Sequence, residues 1–234
     1  MSLEPGLYVA ATPIGNLKDI TLRVLEALQG ADVILCEDTR VTAKLLGGHG
    51  IKAVLRPYHD HNAAQMRPEV LERLQDGARI VLVSDAGTPL ISDPGYKLVR
   101  AVRDAGLPVF TLPGPSAMVA ALSIAGAPTD RFLFAGFLPP KSGARQSALR
   151  ELVTIDATLV FYESGPRLAA SLADMAAVLG DRRAAVAREL TKLHEEVVEG
   201  GLAELAARYA DTPPKGEIVV VVHPPEVAAP AAAD

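Results

Sequence analysis

Short apolar runs rich in branched side chains recur along the chain at 6–10 (GLYVA), 32–36 (DVILC), 79–83 (RIVLV), 108–112 (PVFTL), 131–136 (RFLFAG), 158–162 (TLVFY), 184–188 (AAVAR) and 217–222 (EIVVVV). Several are apolar at successive positions rather than at every second one, the pattern of strands covered on both faces. Between them apolar residues keep a helical period, as in Leu168, Leu172, Met175, Ala176 and Leu179, or Leu98, Val99 and Val102, and these stripes are core. Strands alternating with helices predict an α/β protein with mainly parallel sheets.

The segment 112–118 (LPGPSAM) punctuates this pattern. Pro113-Gly114-Pro115 ends a strand and Ser116 can cap the helix that follows. The chain is therefore expected to form two α/β lobes, 1–113 and 114–223, with a cleft between them where a ligand meets the carboxyl ends of strands. The Pro/Ala-rich end predicts a disordered tail over 224–234.

Four loops that follow predicted strands are built alike, at 11–21 (ATPIGNLKDIT), 37–46 (EDTRVTAKLL), 84–95 (SDAGTPLISDPG) and 113–118 (PGPSAM). Proline fixes the path, glycine lets a ligand approach the backbone, and Thr, Ser or Asp can cap a helix or bind. Such loops read as a pocket wall, yet they contain neither G-x-x-x-x-G-K-[ST] nor G-x-G-x-x-G. The G-x-S-x-G of serine hydrolases fails too, because Met118 follows Gly114-Pro115-Ser116-Ala117. LGGHGI (46–51) follows a helical stretch and reads as a helix end with its turn.

Composition narrows the classes. The net charge of -5 argues against a protein that coats nucleic acid with its whole surface, leaving local patches: Lys141, Arg145 and Arg150 in one stretch without an acid, and Arg182, Arg183, Arg188 and Lys192 against Glu189 in another. Cys36 is the one cysteine, so no intramolecular disulfide or Cys-rich metal site forms. In YHDHN (58–62) adjacent ligands point to opposite sides and no third ligand follows, so no metal is expected. His194 and His223 stand singly. No stretch approaches a membrane span and the first residues do not resemble a signal peptide, which predicts a cytoplasmic protein.

Three strand ends carry paired charges: Glu37, Asp38 and Arg40 in CEDTR; Glu163 and Arg167 in YESGPR; Arg188, Glu189 and Lys192 in ARELTK. Each can be a helix cap with a local ion pair or a substrate contact.

Taken together, LYVAATPIGNLKDIT, ADVILCEDTR, VSDAGTPLISDPG, PGPSA, FLFAGFLPPK, FYES and RELTKLHEE, spread from about Leu7 to Val222, resemble the 16S rRNA (cytidine-2'-O)-methyltransferases of the class III S-adenosylmethionine-dependent, or tetrapyrrole, methylases. The resemblance implies two α/β lobes with S-adenosyl-L-methionine folded between them, commonly a homodimer, and 16S rRNA of the small ribosomal subunit as substrate. It implies donor contacts at Pro13, Gly87, Thr88, Pro89, Ile91, Ser116 and Ala117, with Tyr162, Ala187 and Glu217 from the second lobe. Two departures stand out. Gly165-Pro166 occupy the places where members often carry a residue and then a histidine before the arginine. The helical extension that many members carry does not follow residues 217–222, so no RNA contact is assigned to it.

The implied reaction is an in-line methyl transfer to a ribose hydroxyl whose proton needs an acceptor. Glu37, Asp38, Asp85, Glu163, Glu189 and neutral Lys192 are the candidates. Arg40, Arg188 and Lys192 can hold phosphates, and Lys141 with Arg145, on a flexible loop, can clamp the RNA backbone. Two rival readings share the fold: methylation of a tetrapyrrole or of a modified histidine (diphthine-type), and a non-catalytic ligand- or RNA-binding module.

Overall fold

The computed structural model describes residues 3–225, and the chain parts into two compact units between Ser116 and Ala117. In the first unit β1 (Gly6–Ala10), α1 (Leu22–Gly30), β2 (Val33–Cys36), α2 (Thr39–Gly48), β3 (Leu55–Pro57), α3 (Ala63–Gln75), β4 (Arg79–Leu82), α4 (Tyr96–Asp104) and β5 (Val109–Leu112) alternate. The strands pair in the order β3-β2-β4-β1-β5, all parallel.

The unbroken apolar runs have the cause their pattern implied. Tyr8, Ala10, Ile34, Cys36 and Val81 face a core with Val24, Ala27 and Leu28 of α1, while Leu7, Val33, Leu35, Ile80 and Leu82 face a second with Val70 and Leu74 of α3 and Leu98 and Val102 of α4. Alternate residues of each strand thus serve opposite layers. At the end of α2, His49 caps the helix and Gly50 turns the chain at φ +67°, as expected for the LGGHGI turn.

The second unit contains α5 (Ala117–Ile124), β6 (Phe132–Phe137), α6 (Ser142–Arg150), β7 (Thr158–Ser164), α7 (Gly165–Leu179), β8 (Arg183–Arg188), β9 (Glu196–Gly201), α8 (Leu202–Arg208) and β10 (Glu217–Val222). Its order is β6-β7-β10-β8-β9. Here the expectation of a mainly parallel sheet needs correction: only β6 and β7 pair in parallel, whereas β10 runs antiparallel to both β7 and β8, and β9 antiparallel to β8. Residues 189–195 between β8 and β9 are too few for the crossover that a parallel neighbour requires. The core of this unit joins Phe161, Leu168, Leu172, Met175, Val186, Leu202 and Val220.

Two strands lack a sequence signal. β3 is three residues ending in Pro57, and β9 reads EVVEGG. Both are edge strands, where proline, charge and glycine are tolerated. Among the described residues no helix is long and apolar enough to cross a membrane. The tail expected from 224 lies, from 226 on, outside the described residues.

Candidate active site

In the first unit the loops at the carboxyl ends of β1, β4 and β5 are tied by backbone. Thr12 and Gly87 exchange N–H···O bonds of 2.9 and 3.0 Å. The Thr12 hydroxyl donates to the Ser84 carbonyl at 3.1 Å, the Ser84 hydroxyl to the Gly87 carbonyl at 3.2 Å, and the Thr88 hydroxyl to the Pro115 carbonyl at 3.0 Å. Gly87 stands at φ +80°, and a Cβ there would lie 3.3 Å from Ile14 Cγ2 and 3.7 Å from the Pro115 oxygen. Farther along, Leu90 and Ser92 are left-handed at φ 74° and 66°, a conformation that costs a side-chain-bearing residue about 1–2 kcal/mol. Strain of this kind collects at functional sites.

This loop system brings together Pro13, Gly87, Thr88, Pro89, Ile91 and Ser116. The surface of these loops is built from glycine, proline and backbone, and a Cβ at Gly87 would press on Ile14.

Carboxylates gather at the neighbouring ends of β2 and β4. The Asp38 N–H donates to Asp85 Oδ1 at 3.0 Å. Burial and the nearby Glu37 and Asp85 charges push Asp93 up to about 6, and desolvation together with Asp85 raises Glu37 although its side chain reaches the surface. Asp93 is absent from the candidates that the sequence suggests; its place in the loop of Asp85 is the signal that could have found it. Asp38 is different. It caps α2 and binds the exposed Arg40 at 2.6 Å, and those hydrogen bonds hold it at about 2, so it is a weak proton acceptor.

The second unit changes the standing of several charged candidates. Arg145 is buried on helix α6 rather than lying on a flexible loop: it meets Asp174 at 2.6 Å and donates to the Pro140 carbonyl at 3.2 Å. Burial alone would raise Asp174, but donors from Gln146, Arg145 and Ser142 outweigh it and keep the carboxyl low. A guanidinium so enclosed cannot clamp an RNA backbone. Lys141, at the start of α6, is exposed.

Glu163 is also buried, with both oxygens occupied: Oε2 accepts from the Ser171 hydroxyl at 2.5 Å, Oε1 from the Ser164 N–H at 2.8 Å, and Arg167 lies 3.3 Å away. Arg167 in turn donates to the Leu138 carbonyl at 2.5 Å. This carboxylate is a strut rather than a free base. Gly165 suits its place, since a Cβ would run into the Pro214 carbonyl.

Lys192 bridges Glu189 at 2.8 Å and Glu217 at 2.9 Å. Burial opposes its charge, but the two carboxylates win and raise its pKa, which removes a neutral lysine base. Glu189, at φ 52°, is lowered chiefly by Lys192. Arg188 pairs with Glu196 at 3.0 Å and donates to the Lys215 carbonyl. Ala187 is buried opposite Val219, and Tyr162 packs against Phe134 and Phe137.

A family model described as Tetrapyrrole (Corrin/Porphyrin) Methylases matches residues 6–206. The chain belongs to the tetrapyrrole methylase family. A relative from Mesorhizobium japonicum, named Ribosomal RNA small subunit methyltransferase I, is 54% identical over 99% of this chain and 80% of its own length. Among solved structures, the methyltransferase CobJ superposes with a TM-score of 0.70 at 22% identity, covering 97% of each chain. A uroporphyrin-III C-methyl transferase from Thermus thermophilus, complexed with S-adenyl homocysteine, superposes at 0.63 with 20% identity, covering 92% of this chain and 96% of that one. Likeness at that level shows that the tetrapyrrole methylase described here shares their fold.

Proposed function

We propose that the protein transfers the methyl group of S-adenosyl-L-methionine to the 2'-hydroxyl of a cytidine in 16S rRNA of the small ribosomal subunit. The observation that carries this reading is the 54% identity, across 99% of the chain, with a protein named Ribosomal RNA small subunit methyltransferase I. The backbone-lined loops of the first unit suit the donor, and Pro13, Gly87, Thr88, Pro89, Ile91 and Ser116 would hold it. When bound, the donor supplies an electrophilic sulfonium methyl.

The chain's own residues supply position and proton transfer. Interlocked loops that need no rearrangement favour orientation, a term that reaches roughly 7 to 11 kcal/mol in well-ordered systems. With Glu163 and Lys192 committed to internal bonds and Asp38 tied to Arg40, Glu37 and Asp85 are the leading acceptors for the hydroxyl proton, with Glu189 behind them because Lys192 already holds it. A positioned base is worth about 10²- to 10⁴-fold. Arg40, Arg188 and Lys141 are the phosphate contacts of this reading. The setting is a bacterial cytoplasm, and the active species a homodimer.

Small subunits lacking the modification, incubated with the donor and mapped for ribose methylation at each nucleotide, test it. A single methylated cytidine is expected, with no transfer to uroporphyrinogen in a parallel reaction. Methylation of the tetrapyrrole alone, or donor binding without any product, would replace the RNA reading with one of its two rivals.

A further inference from the structure

Phenylalanine is scarce here, five residues in 234, yet Phe132, Phe134 and Phe137 all stand on the six-residue strand β6. Simple alternation would put Phe134 and Phe137 on opposite faces. Instead the register shifts between Phe134 and Gly136, so that Phe134 lies opposite Val160 and Phe137 opposite Tyr162. Gly136 takes the left-handed φ of 65° at this bulge, and bulges re-aim side chains. Phe137 is thereby turned to the face of Phe134. Both rings meet Tyr162 edge to face, with centroids 5.5 and 4.8 Å away, while Leu133, Ala135 and Leu138 pack into the core on the other side.

Two of the phenylalanines are left open to solvent, and Phe134 is half-buried. β6 is an edge strand, Phe132 is 45% exposed and Phe137 57%. Apolar rings grouped in this way mark a surface that another molecule covers. The charges around them indicate which kind. From Arg131 to Arg150 the chain has no Asp or Glu. Arg131 and Arg145 are paired with Asp156 and Asp174, whereas Lys141 and Arg150 are exposed and have no ion pair among the described residues. The turn joining Phe137 to Lys141 is pinned at two carbonyls, Leu138 by Arg167 and Pro140 by Arg145, so the backbone that carries both residues is held. A π-surface followed along the chain by an unpaired cation, on a stretch from Arg131 to Arg150 without a carboxylate, is the chemistry that receives an unstacked nucleobase and its phosphate.

We propose that Phe134, Phe137 and Tyr162 form a shelf on which an unpaired base of the substrate RNA stacks, with Lys141 meeting the backbone phosphate beside it. This rests on the RNA-methyltransferase reading above and adds the residues that would select single-stranded over paired RNA.

The test titrates the full chain with a fluorescent single-stranded RNA containing cytidine, at several salt concentrations, with donor binding followed separately by calorimetry and mass by sedimentation. Phe137→Ala should weaken RNA binding about tenfold, Phe137→Trp restore it and Phe137→Leu fail to, all with the wild-type salt slope, unchanged donor affinity and unchanged mass. Lys141→Ala should instead flatten the salt slope by about 0.7. Full RNA affinity in Phe137→Leu overturns the shelf. So does a loss confined to donor binding, which would make it an adenine site, or a change of mass alone, which would make it a subunit contact. If the wild type and variants follow the expected binding pattern but no small subunit is methylated, the shelf stands and the proposed reaction falls.

Discussion

The two units fix their loops by opposite means. In the first, the strand-end loops are held by backbone: Thr12 and Gly87 bond to each other, hydroxyls of Thr12, Ser84 and Thr88 donate to carbonyls, and Leu90 and Ser92 sit left-handed. In the second, cations do the holding. Arg167 and Arg145 grip the carbonyls of Leu138 and Pro140 and are themselves anchored on Glu163 and Asp174, and Lys192 ties Glu189 to Glu217. The contrast explains why charge at a strand end is a poor guide to chemistry in this chain. The first unit keeps backbone and carboxylates available for a ligand; in the second most of the conspicuous charges serve as struts.

The contrast can be broken most forcefully at Asp174. Asp174→Ala strands the buried Arg145 guanidinium and should cost about 3–5 kcal/mol in denaturant unfolding, whereas replacing both partners with apolar residues of similar volume should cost far less. A small loss in the single variant would mean that the strut is dispensable. Next comes the backbone-held side. Gly87→Ala places a side chain at φ +80° and should cost about 1–2 kcal/mol while abolishing most donor affinity in calorimetry, because the new methyl presses on Ile14 in the loops proposed to hold the donor.

A comparable effect depends on pH. Asp93 is raised to about 6, so the folded state gives up stability as pH rises through that value and regains it below the ordinary carboxylate range. Asp93→Asn should therefore stabilise the protein by about 2 kcal/mol at pH 8, a figure reduced for the solvent that screens this partly exposed carboxyl. At pH 4 the gain should nearly vanish, as read from melting at both values. The smallest effect belongs to Arg40, which is exposed and, among the described residues, makes its ion pair with Asp38. Arg40→Ala should leave the unfolding midpoint in place while the Asp38 titration, followed by NMR, climbs from about 2.

Strands buried on both faces are plain in the sequence because burial demands apolar residues at every position, and all eight expected runs form strands, including β5 and β6 at sheet edges. β3 and β9 are not, since an edge strand answers to solvent on one side and needs no such run. The direction of β10 is equally hidden: an apolar strand reads the same whichever way it pairs. For the site, the Pro/Gly loops are recognisable from the residue types their backbone requires. The fate of Glu163, Arg145 and Lys192 is not, because whether a charge is free depends on partners such as Ser171, Asp174 and Glu217, remote or unremarked in sequence. Phe137 is obscured for a similar reason, its facing being set by one bulge at Gly136.

The place of β10 also bears on the order in which the molecule can assemble during synthesis. All five strands of the first sheet have been synthesised once Leu112 is made, so that half can close early, as domains do when they fold in turn from the amino end. The second sheet has its middle position, between β7 and β8, filled by the one of its five described strands that is made last. Until residues 217–222 arrive, two inner edges stay unpaired, and a nascent chain stalled before them would present those edges to any neighbour.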